Sequence, residues 1–577
     1  MHDVLPAVVP ALLPELAGTT HEDAPPLPLR TQQQVRELLV SGRFDAWSEA
    51  LARVGACSRP IRLHGSSHTV DTTTGEVVSS YSSESEPLGI THLRCGNRRA
   101  SQCPSCSRLY AGDMFHLIRA GVVGGKAVPE LVADNPLVFA TFTAPSFGAV
   151  HGRRDLGGRC RPYSGATSVC EHGRPLDCHA RHAETDPEIG QPLCGDCYDY
   201  VSHVVWQWWA PNLWRRFTIA LRRMVARVLA VPATRLDDVA TVQYAKVAEY
   251  QRRGVIHFHV LVRLDGPRTV EGFAPAPSAV DADHLAQLIR TAAASVRLTV
   301  PGVDADDPAR MLAFGRQLDA RAVRSSRRTD DPDRTLAPEQ VAGYLAKYAT
   351  KSIEDTGVTD SAHHRRIRAT ALGFASRAAS SPRGCQAVEG PYALLDRWVS
   401  MLGFRGHFAT KSRQYSVTLG ALRRARRRAQ ALIASARAEG RPLDLASLEA
   451  DLLADDDHET TLVVGQWQFV GSGWANEGER VLAVAAAARA REYASRRRRS
   501  EEAAVIRQRE SVMDGQIEDR LWSVQDVSEY LGVPVHSIYA WRSAGTGPPG
   551  RRVGKRLRYR PQDVRDWVAS LPTSVVA

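Results

Sequence analysis

Residues 254–263 read GVIHFHVLVR and predict the β-strand around which the rest of the chain is organised. Bulky and β-branched residues alternate there with His257 and His259, so both imidazoles should project from the same face of a sheet. Two neutral imidazoles on one face can hold a divalent metal ion. The motif alone is equally compatible with two half-exposed histidines on an ordinary sheet.

A second predicted strand, from Val242 to Tyr250, comes directly before this one. The four residues QRRG at positions 251–254 are a suitable tight connection between the two strands. A hairpin of that register brings Glu249 beside the histidines as a third metal ligand. This set of oxygen and nitrogen donors suits Mg²⁺ or Mn²⁺.

Residues 341–351, VAGYLAKYATK, have the apolar spacing of a helix. Tyr344 and Tyr348 should stack on one face one turn apart, with Lys347 and Lys351 close by. A tyrosine pair at this spacing is often an aromatic stripe in a core. The flanking lysines favour a phosphate group nearby instead.

Together these motifs resemble the HUH endonuclease superfamily, and within it the replication initiators of rolling-circle plasmids and integrative elements of actinomycetes. The strand His257-Phe258-His259 is similar to the metal motif, YLAKY at 344–348 to the two-tyrosine motif, and FATFTAP at 139–145 to the first-strand motif. The resemblance spans about Leu93 to Arg491. It implies an α+β fold, an antiparallel sheet with flanking helices and zinc-binding insertions.

The resemblance also implies a metal-dependent DNA endonuclease and strand transferase. Tyr348 would attack the scissile phosphate to leave a 5′-phosphotyrosine and a 3′-hydroxyl primer, and Tyr344 would act at termination. Lys347 would screen the phosphate charge, and His257, His259 and Glu249 would hold catalytic Mg²⁺ or Mn²⁺. A two-tyrosine HUH transposase and a non-catalytic DNA-binding regulator are the alternatives.

The composition fits a nucleic-acid partner. The 577 residues carry a formal net charge of +11, which favours a polyanion such as single-stranded or double-stranded origin DNA. The chain contains no Gly-rich Lys-Ser/Thr phosphate loop. Unwinding is therefore expected from a host helicase, acting with a host polymerase and single-strand-binding protein. No apolar run approaches a membrane span, so a cytoplasmic location is expected.

In a reducing compartment, clustered cysteines favour metal binding over disulfides. Cys103 and Cys106 form a Cys-x-x-Cys pair, and Cys95 is the natural third ligand of a structural Zn²⁺. The fourth ligand stays open between Cys57, His92 and a cysteine of the second cluster.

The second cluster lies at residues 160–197. Cys170, Cys178, Cys194 and Cys197 make a complete zinc site by themselves, although His172 or His182 can substitute for one of them. Inert free thiols are the alternative. Related initiators also carry cysteines in this region, which supports structural zinc without fixing the ligands.

The last segment has the pattern of a helix-turn-helix module. Ser523 can cap a helix over 524–531, GVP at 532–534 makes the turn, and Val535 to Ser543 form the second helix. The segment resembles the winged helix of excisionases and MerR-like regulators. That resemblance places the second helix in the major groove and the basic wing on the backbone or minor groove. The DNA-contacting residues expected are His536, Ser537, Tyr539, Arg542, Arg551, Arg552, Lys555 and Arg558.

The remaining expectations concern the division of the chain. Residues 66–86 are predicted to be a polar loop, and the tryptophans that open the helix from Val204 to Leu229 are predicted to hold that helix to the sheet. The predicted regions are 1–90, an N-terminal region that is partly disordered; 91–130, the first cysteine cluster; 131–355, the nickase core; 356–500, a helical and basic C-terminal region; 501–519, a linker; and 520–572, the winged helix.

Overall fold

The structure is a computed structural model that describes residues 27–126, 128–154, 158–161, 169–270, 272–304, 306–323, 338–350, 361–380, 390–392, 394–440 and 461–572. It divides into two compact units, Met1–Ala487 and Ala488–Ala577. Residues 1–26, the first part of the N-terminal region predicted to be partly disordered, lie outside the described residues. Across the described ranges, no helix is long and apolar enough to cross a membrane.

Helices and strands alternate along the described chain, which confirms the α+β class. The α-helices are α1 Leu29–Val40, α2 Phe44–Arg53, α3 Pro104–Val123, α4 Tyr200–Val228, α5 Ala282–Ser295, α6 Pro338–Thr350, α7 Ala362–Ser380, α8 Leu419–Glu439, α9 Glu477–Asp519, α10 Val524–Leu531, α11 Val535–Ser543 and α12 Pro561–Ser570. The β-strands are β1 Ile61–Asp71, β2 Val77–Ser82, β3 Thr91–Leu93, β4 Leu137–Phe142, β5 Thr241–Tyr250, β6 Ile256–Asp265, β7 Arg268–Thr269, β8 Gly272–Phe273, β9 Leu298–Val300, β10 Arg310–Leu312, β11 Leu318–Ala322, β12 Ala409–Lys411, β13 Thr461–Ser472, β14 Gly550–Val553 and β15 Arg556–Tyr559.

A five-stranded antiparallel sheet, in the order β11-β4-β6-β5-β12, forms the centre of the first unit. The predicted hairpin lies in this sheet, because β5 and β6 are neighbours and pair antiparallel. Residues 251–255 join them, one more than the four predicted. Gly254 has φ +78°, and a Cβ there would lie 2.9 Å from Ile367 Cδ1, so the turn requires glycine.

Both faces of this sheet are covered, which explains why β5 and β6 are apolar on both sides. Helices α4 and α5 pack on one face, where Phe142 and Phe258 lie in the main core. Helices α3 and α6 pack on the other face, against Leu137, Val247 and Leu261. The histidine pair of β6 belongs to this second face.

The tryptophans of α4 are structural, as predicted. Trp206 and Trp208 are fully buried, and their indole N–H groups donate to the carbonyls of Ala313 at 2.8 Å and Pro391 at 2.9 Å. Burying both rings with their polar atoms paired holds α4 in the main core, which also contains residues of the sheet.

A second sheet corrects one prediction. Residues 66–86, expected to form a polar loop, supply the second half of β1 and all of β2, and β1 also pairs along its length with β13. Ser and Thr side chains stand on these strands, so the hydrophobic alternation that identifies a half-buried strand is missing. Gly65 of β1 lies close to strand β13, since a Cβ at Gly65 would come within 2.0 Å of the Gln466 carbonyl oxygen.

The β1–β13 pairing brings two distant segments of the first unit together. Trp47 of α2 packs on Trp474, and strand β12 adds an edge to the central sheet. Both contacts lie within the first unit, which ends at Ala487. The predicted linker 501–519 lies within helix α9. These contacts join segments far apart in sequence, which local patterns cannot reveal.

The C-terminal module has the predicted elements. Ser523 and Asp526 form a capping box at the start of α10, and Gly532 ends that helix with φ +64°. Helix α11, the two-stranded wing β14–β15 and helix α12 follow. A small core joins them, made of Trp522, Val524, Val527, Ile538, Tyr559 and Val564.

Candidate active site

The hairpin register brings the three predicted metal ligands together. Glu249 pairs directly with His257 across the two strands. The Glu249 Oε2 atom lies 3.0 Å from His257 Nε2 and 3.1 Å from His259 Nε2. Two imidazole nitrogens and one carboxylate oxygen therefore converge, within 4.8 Å of one another, on one point of the sheet face. This donor set suits a hard or borderline divalent cation.

Strand β4 orients His259 from the other side. Thr141 is its register partner, and the Thr141 hydroxyl lies 3.1 Å from His259 Nδ1. The Phe139 ring stacks on the His259 ring with centroids 5.9 Å apart and an interplanar angle of 10°. Contacts of this kind fix the orientation of a metal-binding imidazole, here with Nε2 towards Glu249. Sequence reasoning identified the motif at 139–145 but gave no role to Thr141.

Helix α6 places both tyrosines beside the histidine pair of β6. Its buried residues Val341, Ala342, Leu345 and Ala349 pack against α3 and the sheet. The rings of Tyr344 and Tyr348 each lie 5.2 Å from the His259 ring and 4.3 Å from one another. Nucleophile candidates and metal-ligand candidates thus occupy one site, as the motifs predict.

The two tyrosines and Lys347 of α6 differ in solvent exposure. Tyr344 is 40% exposed, whereas Tyr348 is partly buried. Burial, a hydrogen bond with Tyr348 and the negative charge of Glu249 raise the pKa of Tyr344 well above its usual range. Lys347 is exposed on the same helix, and Lys351 lies outside the described residues.

The first cysteine cluster anchors the helix beneath α6. Cys103 stands at the start of α3, and the sulfur atoms of Cys57, Cys95, Cys103 and Cys106 lie within 4.8 Å of one another. Cys57 is therefore the fourth member that the sequence left open. Arg98, from the same cluster, donates to the Ala349 carbonyl at the end of α6 at 3.4 Å. The segment between Cys95 and Cys103 thus contacts the tyrosine helix through Arg98.

The cysteines and histidines of the second cluster lie in two separate sets, and the substitution of His172 for a cysteine was one of the options left open above. Cys170, His172, Cys194 and Cys197 form one set, in which His172 takes the place expected for Cys178. Cys178 lies instead with His151, Cys160 and His182. The reason is a backbone bridge between Cys178 and Arg161, which draws Cys178 towards Cys160. Sequence reasoning missed His151, which has no nearby cysteine to mark it.

An arginine-lined cleft of about 800 Å³ lies beside the hairpin turn. Arg161, Arg252, Arg253, Arg297 and Arg316 are among its lining residues. Such a concentration of guanidinium groups suits a polyanion.

In the C-terminal module, most predicted DNA contacts are on the surface. His536, Tyr539 and Arg542 of α11 are exposed, whereas Ser537 is half-buried. On the wing, Arg551, Arg552 and Lys555 are exposed, and Arg558 is half-buried with its guanidinium donating to the Leu557 carbonyl. The exposed predicted contacts of the wing are therefore all basic.

The chain matches two family models. Residues 43–488 match the family described as replication initiator protein, pSAM2, and residues 523–572 match a helix-turn-helix domain. A replication initiator protein of Streptomyces ambofaciens is 41% identical over 449 residues, which is 76% of this chain and 89% of that protein. No solved structure matches the chain.

Proposed function

This chain belongs to the pSAM2 replication initiator protein family, and from that premise we propose that it is a two-tyrosine HUH nickase that starts rolling-circle replication at its origin. The observation that carries the proposal is the convergence of Tyr344 and Tyr348 on His259, within the set completed by His257 and Glu249. A core stripe of tyrosines has no reason to meet two histidines and a carboxylate.

The donor set fits Mg²⁺ or Mn²⁺, held by His257 Nε2, His259 Nε2 and a Glu249 oxygen. When bound there, such a cation supplies Lewis-acid polarisation of the scissile phosphate. Thr141 and Phe139 hold the His259 ring, and the rigid hairpin holds Glu249 and His257, so the ligands are oriented before substrate arrives.

Tyr348 is the nucleophile of the first step. Its phenolic oxygen forms a bond to phosphorus while the bond from phosphorus to the 3′-oxygen breaks. The phenolic proton is released to solvent, and the leaving 3′-oxygen takes a proton from solvent to become the hydroxyl that primes synthesis. The phosphodiester energy stays in the 5′-phosphotyrosine, so no nucleoside triphosphate is consumed.

Tyr344 performs the second attack at termination, and Lys347 offsets phosphate charge beside the tyrosines. The displaced single strand follows the arginine-lined cleft towards the site. A host helicase, polymerase and single-strand-binding protein complete replication.

Zinc and duplex DNA occupy other parts of the chain in this proposal. Structural Zn²⁺ is held by Cys57, Cys95, Cys103 and Cys106, and by the set Cys170, His172, Cys194 and Cys197. Helix α11 reads the major groove of origin or promoter DNA, and the wing contacts its backbone.

The test uses single-stranded DNA fragments that tile the gene neighbourhood of the chain. Incubation with Mn²⁺ should cut one fragment, giving a 3′ end that a polymerase extends and a 5′ end blocked by protein. A cut that leaves a free 5′-phosphate would refute tyrosine attack. Cleavage at element ends rather than at an origin repeat would favour the transposase alternative.

A further inference from the structure

The loop segment between β4 and α4 holds a four-residue cluster that lies apart from the hairpin site and the two zinc sets already assigned. Two backbone pairings assemble it. Cys178 and Arg161 exchange hydrogen bonds of 2.9 and 2.8 Å, and Cys160 N–H donates to the Ala180 carbonyl at 2.8 Å. His151 N–H donates to Gln191 at 2.8 Å, and His151 accepts from Gly190 at 2.9 Å.

The donor atoms of this cluster have the spacing of a tetrahedral metal shell. His182 Nε2 lies 3.3 Å from His151 Nδ1 and 3.5 Å from Cys178 Sγ, and all four ligand atoms lie within 4.8 Å of one another. Zinc bonds of about 2.0–2.3 Å place tetrahedral donors about 3.3–3.8 Å apart. Cys160 and His182 are buried, so the point between the donors is shielded from solvent.

Hydrogen bonds from neighbouring groups favour the metal-binding forms of His182 and Cys160. Asp186 Oδ2 lies 2.7 Å from His182 Nδ1, which fixes the proton on Nδ1 and leaves the Nε2 lone pair directed at the other donors. The Gly152 N–H donates to Cys160 Sγ at 3.2 Å, a contact that stabilises a thiolate. A carboxylate behind a histidine is a recurrent arrangement around protein-bound zinc.

We propose that His151, Cys160, Cys178 and His182 bind one structural Zn²⁺ ion, separate from the ion assigned to Cys170, His172, Cys194 and Cys197. Two thiolates and two imidazoles close a tetrahedral shell, so the site is structural and leaves no position open for substrate.

The site lies next to the β5–β6 turn and can hold a neighbouring loop in place. The Asp186 carbonyl accepts a hydrogen bond of 2.7 Å from Arg252, in the turn that joins Glu249 to His257. Gly190 lies against the same turn, where a Cβ would come within 2.5 Å of the Arg252 carbonyl carbon. The zinc ion therefore holds the loop 182–192 against the hairpin turn. Zinc binding itself does not depend on the proposed nickase activity, whereas this role in positioning the hairpin rests on it.

The test measures zinc in the purified full chain by mass spectrometry of the metal. The double variant Cys160→Ser/Cys178→Ser should contain one zinc equivalent fewer than the parent. The matched control Cys170→Ser/Cys197→Ser should also lose one, and the combination of both pairs should lose two. An unchanged zinc content in Cys160→Ser/Cys178→Ser would overturn the proposal, as would a Cys160–Cys178 disulfide in peptides from protein purified without reductant.

A milder variant guards against misfolding of the double variant. Asp186→Asn removes the charge behind His182 but no ligand, so a chelator should extract one zinc equivalent at about 10–100-fold lower concentration than from the parent. The other equivalents should be released as in the parent. Identical release curves for parent and Asp186→Asn would contradict the proposal whatever the nicking activity of either protein.

Discussion

The candidate metal ligands of the hairpin site stand on paired strands, whereas those of the two Cys/His sets between Phe142 and Tyr200 stand on loops. Glu249, His257 and His259 stand on paired strands that keep their positions through ladder hydrogen bonds and a packed core. The described residues between Phe142 and Tyr200 form isolated bridges but no helix or strand, and their cysteines and histidines stand on loops. We expect the hairpin to keep its shape without metal, since its backbone is already paired, and the loops to need metal to keep theirs.

The largest expected effect is at the hairpin site, where removing the nucleophile should abolish covalent adduct formation without unfolding the protein. Tyr348→Phe removes the attacking oxygen but keeps the ring against His259, so covalent adduct formation should fall by at least about 10³-fold. Thermal melting should stay unchanged. Denaturing gels of labelled DNA measure the adduct.

Tyr344→Phe is the matched control for that variant. It should still form the adduct at the first nick but fail to release a closed circular strand. Equal loss of first-step adduct in the two variants would contradict the assignment of Tyr348 as first nucleophile.

Removing the Glu249 carboxylate, which lies close to both imidazoles, should cause the next largest loss of nicking activity. Glu249→Gln takes away the negative charge between the two imidazoles, so nicking at limiting Mn²⁺ should fall by at least about 100-fold. Thr141→Val, which removes only the hydroxyl beside His259 Nδ1, should cost about tenfold. A Mn²⁺ titration of both variants checks the ranking, and a larger loss in Thr141→Val would show that Glu249 is not a ligand.

Chelation should separate the two kinds of site. Stripping all metal should make cleavage by a protease within residues 143–199 more than about tenfold faster, which corresponds to about 1.4 kcal/mol or more. Residues 241–265 should remain protected. Peptide mapping of a timed digest measures both segments, and equal exposure of the two would remove the distinction between them.

Acid should loosen the hairpin turn independently of metal. His363 donates to the Arg253 carbonyl at 3.0 Å, and His203 contacts the Gly254 carbonyl at 3.3 Å. Burial lowers the pKa of His363 to about 4 and that of His203 well below its usual value.

Because these pKa values are depressed in the folded state, the unfolded chain binds more protons below its histidine pKa near 6.5. The contribution of these two histidines to the free energy of unfolding should thus be constant above that pH and should fall as the pH drops towards 4. Urea titrations at several pH values measure it. In His363→Phe the slope should be shallower, and an unchanged slope would contradict a role for His363.

The smallest effect is expected on the wing. Lys555→Gln should weaken duplex binding about equally for all sequences and reduce the slope of log K against log salt by about 1, as for loss of one phosphate contact. Arg235→Gln, in the first unit, removes an arginine paired with Asp238 and should leave that slope unchanged. Loss of binding to one sequence alone would indicate a base contact instead.

The hairpin could be predicted because its determinants are local. A period of two and a short connection place Glu249 beside the histidine pair without knowledge of the remaining chain. The pairing of Glu249 with His257 itself depends on a connection of five residues, 251–255, one more than the four predicted. Helix α6 was equally local, since helical spacing puts Tyr344 and Tyr348 on one face.

The rest depended on contacts between distant segments. Strand β1 was missed because its Ser and Thr residues give no hydrophobic alternation, and its partner β13 lies near the other end of the first unit. The division of the cysteines depends on the pairing of Arg161 with Cys178, which no spacing rule contains. Cys57 joined the first cluster through the packing of Trp474, whose indole donates to the Cys57 carbonyl at 2.9 Å.

The central claim is that a tyrosine of α6 attacks DNA at the site formed by the β5–β6 hairpin. The most direct measurement is to trap the covalent adduct formed with origin single-stranded DNA in Mn²⁺, digest it, and identify the modified peptide by mass spectrometry. The account predicts a nucleotide on Tyr348, absent when EDTA replaces Mn²⁺ and strongly reduced in His257→Ala. A nucleotide on a residue outside α6, or an adduct that forms equally well in EDTA, would contradict it.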